Sequence, residues 1–208
     1  MLTLAQTLPF LLAALIITAT PGPDNLMVLS MGAAKGRRQG MAFGLGCAMG
    51  CPSHTVLAVV GVSAVIAASP AAFTALTWAG GAYLLWLGVQ ALRSTGAGPT
   101  SPSTDAAQPL GRLFLKGMLA NAINPKVVLF FLSFLPQFVA PTQGNVAWQL
   151  GQLGLLFTLQ AALLFGLLGY FAGSVGQWLQ RRPRAGWWLD RLAGTIFVAL
   201  GLKLIASR

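Results

Sequence analysis

The sequence predicts an all-α integral membrane protein: six transmembrane helices built as two inverted three-helix repeats, with helices 1 and 4 broken by proline. Composition is the first observation behind this. Apolar residues make up 56% of the 208 and charged residues only 8%, against about a quarter charged in soluble domains. So little charge cannot cover a water-facing surface. Second, the apolar residues fall in about six long runs, each comparable to the ~20 residues a helix needs to cross a ~30 Å hydrocarbon core. Third, Lys and Arg gather at the ends of alternate runs, the placement that orients helices in a bilayer.

The first run spans Leu4 to Met31 and is interrupted by Thr20-Pro21-Gly22-Pro23-Asp24-Asn25. No Lys or Arg precedes Leu11, so the basic start of a signal peptide is missing and this stretch is expected to be a retained helix. The second run goes from Met41 to about Ala68 and is closed by Ser69-Pro70; the third goes from Ala71 to Leu92. A linker rich in Ser, Thr, Pro and Gly follows, from Arg93 to Gly111. The fourth run, Arg112 to Val139, is interrupted at Asn124-Pro125-Lys126, the fifth spans about Val146 to Gly176, and the sixth Trp187 to Ile205. The expected organisation is one transmembrane domain over residues 1–208, with repeat one at 1–92, a cytoplasmic linker at 93–111 and repeat two at 112–208.

Charge gives the orientation. Lys35, Arg37 and Arg38 follow helix 1; Arg93 follows helix 3, with Arg112 and Lys116 beyond the linker; Arg181, Arg182 and Arg184 follow helix 5. The connections near Pro70 and Pro141 carry neither Lys nor Arg. The positive-inside rule then puts the odd-numbered connections in the cytoplasm and both termini outside. Because three is odd, helices 1–3 and 4–6 run in opposite senses. Pro23 lies about twelve residues from Lys35, and Asn124 about twelve from Arg112. At ~1.5 Å per residue each break is ~18 Å deep, near mid-membrane. Paired broken helices at matching depth are a pointer to a transporter's binding site.

The chemistry concentrates at the same two places. Pro21 and Pro23 remove backbone donors and leave upstream carbonyls without helical partners, and inside a bilayer such groups must be met by protein or by a water-filled cavity. Asp24 puts a carboxyl where a charge costs ~2.5–3.5 kcal/mol even on insertion scales; it can carry a proton or bind an ammonium group. Asp24 and Asn25 also suit the start of a continuing helix as caps, and the two roles are compatible. In the second segment Pro125 frees the carbonyl of Asn121 and holds Asn124 away from helical dihedrals. Lys126 places an ammonium at depth, to meet Asp24, to meet a substrate carboxylate, or to snorkel to the interface. The candidate substrate- or proton-binding residues are therefore Asp24, Asn25, Asn121, Asn124 and Lys126, with Pro21, Gly22, Pro23 and Pro125 shaping the broken backbone.

Gly36, Gly40, Gly44 and Gly50 belong to a ladder of small residues that lets helices approach closely; they build either the internal scaffold or a homodimer seam. Cys47 and Cys51, one turn apart, read as small hydrophobes. With His54 they give only three candidates where zinc takes about four ligands, so neither a metal nor any other cofactor is expected. His54 is either a proton relay or a buried, satisfied histidine. Three acids in the whole chain and a histidine with no acid near it in sequence argue against hydrolytic or nucleophilic catalysis. The formal charge of +10 lies at segment ends rather than in a stripe with interleaved aromatics, so the basic partner is the lipid bilayer and not nucleic acid.

Thr20-Pro-Gly-Pro-Asp-Asn25 with the glycine ladder through Gly50 resembles the signature of the LysE/RhtB superfamily of amino acid exporters. The resemblance continues through Lys116-Gly-Met-Leu-Ala-Asn-Ala-Ile-Asn-Pro-Lys126 and Phe130-Phe-Leu-Ser-Phe-Leu-Pro-Gln-Phe138. It implies a multi-pass protein of the bacterial inner membrane that is not an enzyme. The implied activity is export of amino acids or close derivatives of the homoserine, threonine, leucine or lysine kind, driven by proton antiport. An uncoupled channel or facilitator for small polar solutes is the alternative that the residues alone leave open.

Overall fold

In the computed structural model, residues 2–62, 69–94 and 108–206 are described, and their regular structure is helical throughout. Helix α1 spans Leu4–Ala19 and begins where the Gln6 Oε1 accepts the Thr3 N–H at 3.0 Å. It stops because Pro21 has no N–H to offer the Ile17 carbonyl. Helix α2, Pro23–Lys35, starts with proline in its first position, where a missing donor costs nothing. The axis bends by 56° between the two. Gly36, at φ +99°, makes the tight turn that side chains disfavour and lets α3 start at once. α3 runs Arg37–Leu57 and passes into a π turn at Ala58–Val62.

After residues 63–68, which lie outside the described set together with the end predicted for the second run, α4 spans Pro70–Arg93. Most of the predicted linker, 95–107, is likewise outside it. Helix α5, Leu110–Ala122, ends before Asn124, whose Oδ1 accepts the Lys126 N–H at 3.0 Å and caps the short α6, Pro125–Leu129. This second break bends the chain by 49°. From α6 the backbone loosens into a π turn, Phe130–Phe134, and then a 3-10 turn, Leu135–Phe138. Helix α7, Val146–Tyr170, is capped by Asn145. The single fifth helix expected to reach Gly176 instead breaks at Phe171, and α8, Ala172–Arg181, follows. α9 spans Pro183–Ala206.

Among the described residues three helices are individually long and apolar enough to cross a membrane, and up to five spans result if each bent pair is one. The count of six from the sequence is therefore not reproduced on these grounds. Of the two helices left over, α8 has only ten residues, and α9 is long enough at roughly 36 Å but carries Asp190, Arg191 and Lys203 within its length.

Apolar side chains face outward as well as inward, which a soluble helix bundle avoids. Leu4, Leu8, Leu12 and Leu15 expose one side of α1, and Leu155, Leu159, Leu163 and Leu167 one side of α7. Inside, the rings of Phe130, Phe131 and Phe157 pack at centroid distances of 4.9 to 6.1 Å, with Phe10, Phe134 and Phe165 buried in the same core. Helix α3 is the central post, packing on α2, α5 and α7, while α4 pairs with α9. Arg37 donates to the Tyr170 hydroxyl at 3.2 Å and its guanidinium lies 5.2 Å from that ring's centre. The basic turn after α2 and the end of α7 thus share one end of the molecule.

Glycine makes this packing possible. A Cβ on Gly46 would fall 2.0 Å from the Phe114 carbonyl oxygen, and one on Gly117 2.1 Å from that of Phe43, so α3 and α5 touch backbone to backbone. Gly32, Gly40 and Gly169 bring α2, α3 and α7 together in the same way. Gly173, by contrast, has open space around it. Accordingly Gly46→Ala and Gly117→Ala should each lower stability by about 1–3 kcal/mol through overpacking, read as reversible unfolding in detergent. Gly173→Ala should not lower stability measurably.

Candidate functional site

The two breaks meet in the middle of the bundle, and each is completed by the other half of the chain. At the first, the carbonyls of Ile17, Thr18 and Thr20 lose their helical partners. The Lys126 ammonium donates to Ile17 O and to Thr20 O, both at 3.1 Å. Asn25 turns back to donate its Nδ2 to Thr18 O at 2.8 Å. At the second break, Asn121 O is freed by Pro125 and is met by the N–H of Asn124 at 2.8 Å and by His54 Nε2 at 3.0 Å. A carbonyl oxygen only accepts, so His54 carries its hydrogen on Nε2. His54 is buried, at 1% exposure, and tied through Nε2 to that carbonyl.

Asp24 and Asn121 join the breaks directly: the Asn121 Nδ2 donates to Asp24 Oδ2 at 2.7 Å, a short bond to an acidic acceptor. Asn121 is seated by Gly50, where a Cβ would lie 2.8 Å from both its Cβ and its Oδ1. The Cys51 thiol approaches that Oδ1 at 3.6 Å. Gly22 does the same for Lys126, since a Cβ there would lie 2.8 Å from Nζ. Its φ of −168° is ordinary extended backbone, so close approach and not backbone freedom is what requires glycine.

Asp24, Asn121 and Lys126 line one small cavity with Ile17, Thr18, Val127, Phe130, Phe157 and Phe165. Its volume is about 10 Å³, room for roughly one water, so the conformation is closed. Asp24 and Lys126, 4% and 6% exposed, present an acid and a cation to the same space. The ammonium is held inward by two carbonyls and does not snorkel to an interface.

The other predicted residues take supporting places. Asn25 and Asn124 hold the broken backbone, and each keeps one buried amide atom unpartnered, Oδ1 of Asn25 and Nδ2 of Asn124. Pro21, Pro23 and Pro125 make the breaks. Gly40, Gly44 and Gly50 lie at backbone contacts, whereas Gly36 forms the α2–α3 turn. Cys47 and Cys51 are buried free thiols. Among the described residues no three His, Cys, Asp or Glu side chains gather as a metal site would need.

Sequence reasoning did not single out Thr18 or Gln160, whose Nε2 donates to the Thr18 hydroxyl at 2.8 Å while its Oε1 stays unpartnered. The available signal was an amide inside an apolar run. Nor did it assign a place in the site to Phe130, Phe157 and Phe165 of the cavity wall.

Comparison with known proteins follows the same lines. The sequence profile of the family described as LysE type translocator matches residues 15–208. The homoserine/homoserine lactone efflux protein of Salmonella typhimurium is 30% identical over 199 residues, covering 96% of this chain and 95% of that one. The threonine efflux protein of Salmonella typhi is 33% identical over 203 residues, covering 93% and 94%. An uncharacterized membrane protein of Vibrio cholerae is 32% identical, covering 97% of both chains. No solved structure matches. With a profile spanning nearly its whole length and relatives at this identity and coverage, the chain belongs to the LysE type translocator family.

Proposed function

We propose that this protein is a secondary transporter that exports amino acids or close derivatives from the cytoplasm by proton antiport. The observation that carries the reading is the cavity between two broken helices, lined by one acid, Asp24, and one cation, Lys126. An α-amino acid brings one ammonium and one carboxylate, and these two groups complement it. The named efflux relatives support the same reading, one for threonine and one for homoserine and its lactone.

The mechanism follows from what each group already does. Asp24 accepts from the neutral Asn121 amide when the site is closed; a substrate ammonium replaces that donor with a charged one. Lys126 spends two of its three N–H donors on the carbonyls of Ile17 and Thr20 and offers the third to the substrate carboxylate. Once the substrate is released outward, a proton on Asp24 neutralises the carboxyl for the return. Proton and ammonium therefore compete for one carboxylate, which is the requirement of an antiporter. The closed cavity fits an occluded intermediate about which the two halves rock.

The membrane arrangement in this proposal has α1 with α2, and α5 with α6, each as one bent span, and α9 as the sixth. Two facts favour inverted repeats over residues 1–92 and 112–208: bends of 56° and 49° at proline breaks in corresponding helices, and the pairing of α3 with α7 and of α4 with α9, elements that correspond between the halves. The basic ends, with the linker 93–111, then face the cytoplasm and both termini the outside of a bacterial inner membrane.

In inverted vesicles with an acidified interior, labelled threonine, homoserine or leucine should accumulate above vesicles lacking the protein and leak out when a protonophore is added. Accumulation indifferent to the gradient would instead make the protein an uncoupled facilitator. Asp24→Asn should abolish gradient-driven uptake while the purified protein stays folded; retained proton-coupled export would remove Asp24 from the mechanism. Gly22→Ala pushes only the flexible tip of Lys126, so folding should survive while apparent affinity falls about tenfold. That is the scale of losing one charge-assisted hydrogen bond.

A further inference from the structure

From the polar and aromatic contacts at the head of α1 we infer that this helix is the outer gate of the transport path, hinged at the Pro21 break and latched by Gln6 against Gln149. The inference rests on the transport reading above. A cavity with room for roughly one water cannot take up or release a solute unless some element moves, and α1 is the element placed to do so. It joins the rest of the chain through the proline break, where the axis bends by 56°. It contains no glycine to seat it backbone to backbone on a neighbour. Leu4, Leu8, Leu12 and Leu15 expose one of its sides, and the other packs chiefly on α7 and on the 3-10 turn Leu135–Phe138.

The latch is a pair of amides. Buried Gln149 accepts at Oε1 from Gln6 Nε2 at 2.9 Å and from Ala140 N at 3.0 Å. Its Nε2 donates to Ala140 O at 2.9 Å and to Gly144 O at 3.2 Å. Gln6 Nε2 donates a second time, to Phe138 O at 3.0 Å. The two Gln6 bonds span 143 and 132 residues and tie the first half of the chain to the second. One turn further along α1, the Phe10 ring lies 5.5 Å from that of Phe138 and 6.4 Å from that of Phe130. Phe134 joins those two at 5.3 and 5.4 Å. Phe130 is itself cavity wall, so an aromatic plug runs from the cavity to the polar latch.

Helix α7 fixes which end this is. Gln149 and Tyr170 stand at its two ends, ~32 Å apart, and Tyr170 holds Arg37 of the basic turn. The latch therefore lies at the end away from that turn, the outer end under the positive-inside rule. The foot of α1 carries the carbonyls of Ile17 and Thr20 that Lys126 holds beside the cavity. One helix thus bears the latch at its head and contacts the cavity's ammonium at its foot, so a shift at Lys126 is delivered to Gln6. Parting the two Gln6 bonds and withdrawing Phe10 opens the cavity outward, while Gln149 keeps its bonds to residues 140–144.

The test is Gln6→Glu, which keeps an acceptor for the Thr3 N–H, and so the start of α1, but replaces the donor by an acceptor facing Phe138 O and Gln149 Oε1. The full-length protein carries Cys47→Ala and Cys51→Ala and one reporter thiol. The reporter is Ala14→Cys, on α1 between plug and cavity, or Ala48→Cys, in the core of α3; both positions are 0% exposed. A membrane-impermeant maleimide added to intact cells should label Ala14→Cys about tenfold faster with Gln6→Glu than without, the scale of losing one or two hydrogen bonds. Ala48→Cys should stay unlabelled. No rise at Ala14→Cys would overturn the gate, and so would an equal rise at Ala48→Cys, which marks a loosened fold. Counterflow of labelled threonine and homoserine by the wild-type protein separates the two claims. Its absence from folded protein would remove the transport reading, while the labelling would still decide whether α1 opens.

Discussion

The structure depends on how a polypeptide can be broken twice inside an apolar bundle. Proline at position 21 leaves Ile17 with a carbonyl that no backbone donor can reach, and an unmet carbonyl in such surroundings costs several kcal/mol. The Lys126 ammonium meets it, together with Thr20, from 109 and 106 residues away in sequence. At the other break the carbonyl freed by Pro125 is met by His54 from the first half. Each half of the chain thus completes the backbone of the other. Lys126 also lines the cavity, together with Asp24 and Asn121.

This arrangement makes the fold and the proposed site share residues. Asn121 donates to Asp24 through its side chain and accepts from His54 through its backbone. It is held against α3 by the absence of a side chain at Gly50. A carboxylate and an ammonium buried at one cavity are poor contributors to stability, and under the proposed function they are the two charges a zwitterion would meet. The unpartnered Oδ1 of Asn25 and Nδ2 of Asn124 lie on the same two segments, an acceptor on one and a donor on the other. The breaks thus keep polar capacity that the closed state leaves unused.

Much of this was legible in the sequence because proline and charge are conspicuous in apolar runs. The breaks at Thr20–Asn25 and Asn124–Lys126, the starts of most helices, and Asp24, Asn121 and Lys126 as cavity residues all follow from those signals. The partners were not legible. Nothing local says that Lys126 serves carbonyls of the first helix or that His54 serves Asn121, since both bonds span long separations in sequence. Gly36 was grouped with the packing glycines because spacing by four cannot separate a contact glycine from one at positive φ. The break at Phe171 carries no proline and left no mark. Thr18 and Gln160 are single polar groups in long apolar helices and have no period to betray them.

The most direct test of the reciprocal completion of the two breaks is a double-mutant cycle between Pro21→Ala and Lys126→Met, read as unfolding free energy in detergent. Alanine restores an N–H at position 21 that can serve the Ile17 carbonyl, so the ammonium matters less in that background. A coupling of about 1–2 kcal/mol, with Lys126→Met less harmful beside Pro21→Ala than alone, is the predicted result. Additive effects within about 0.5 kcal/mol would show that Lys126 does not complete the broken helix, and would contradict the account.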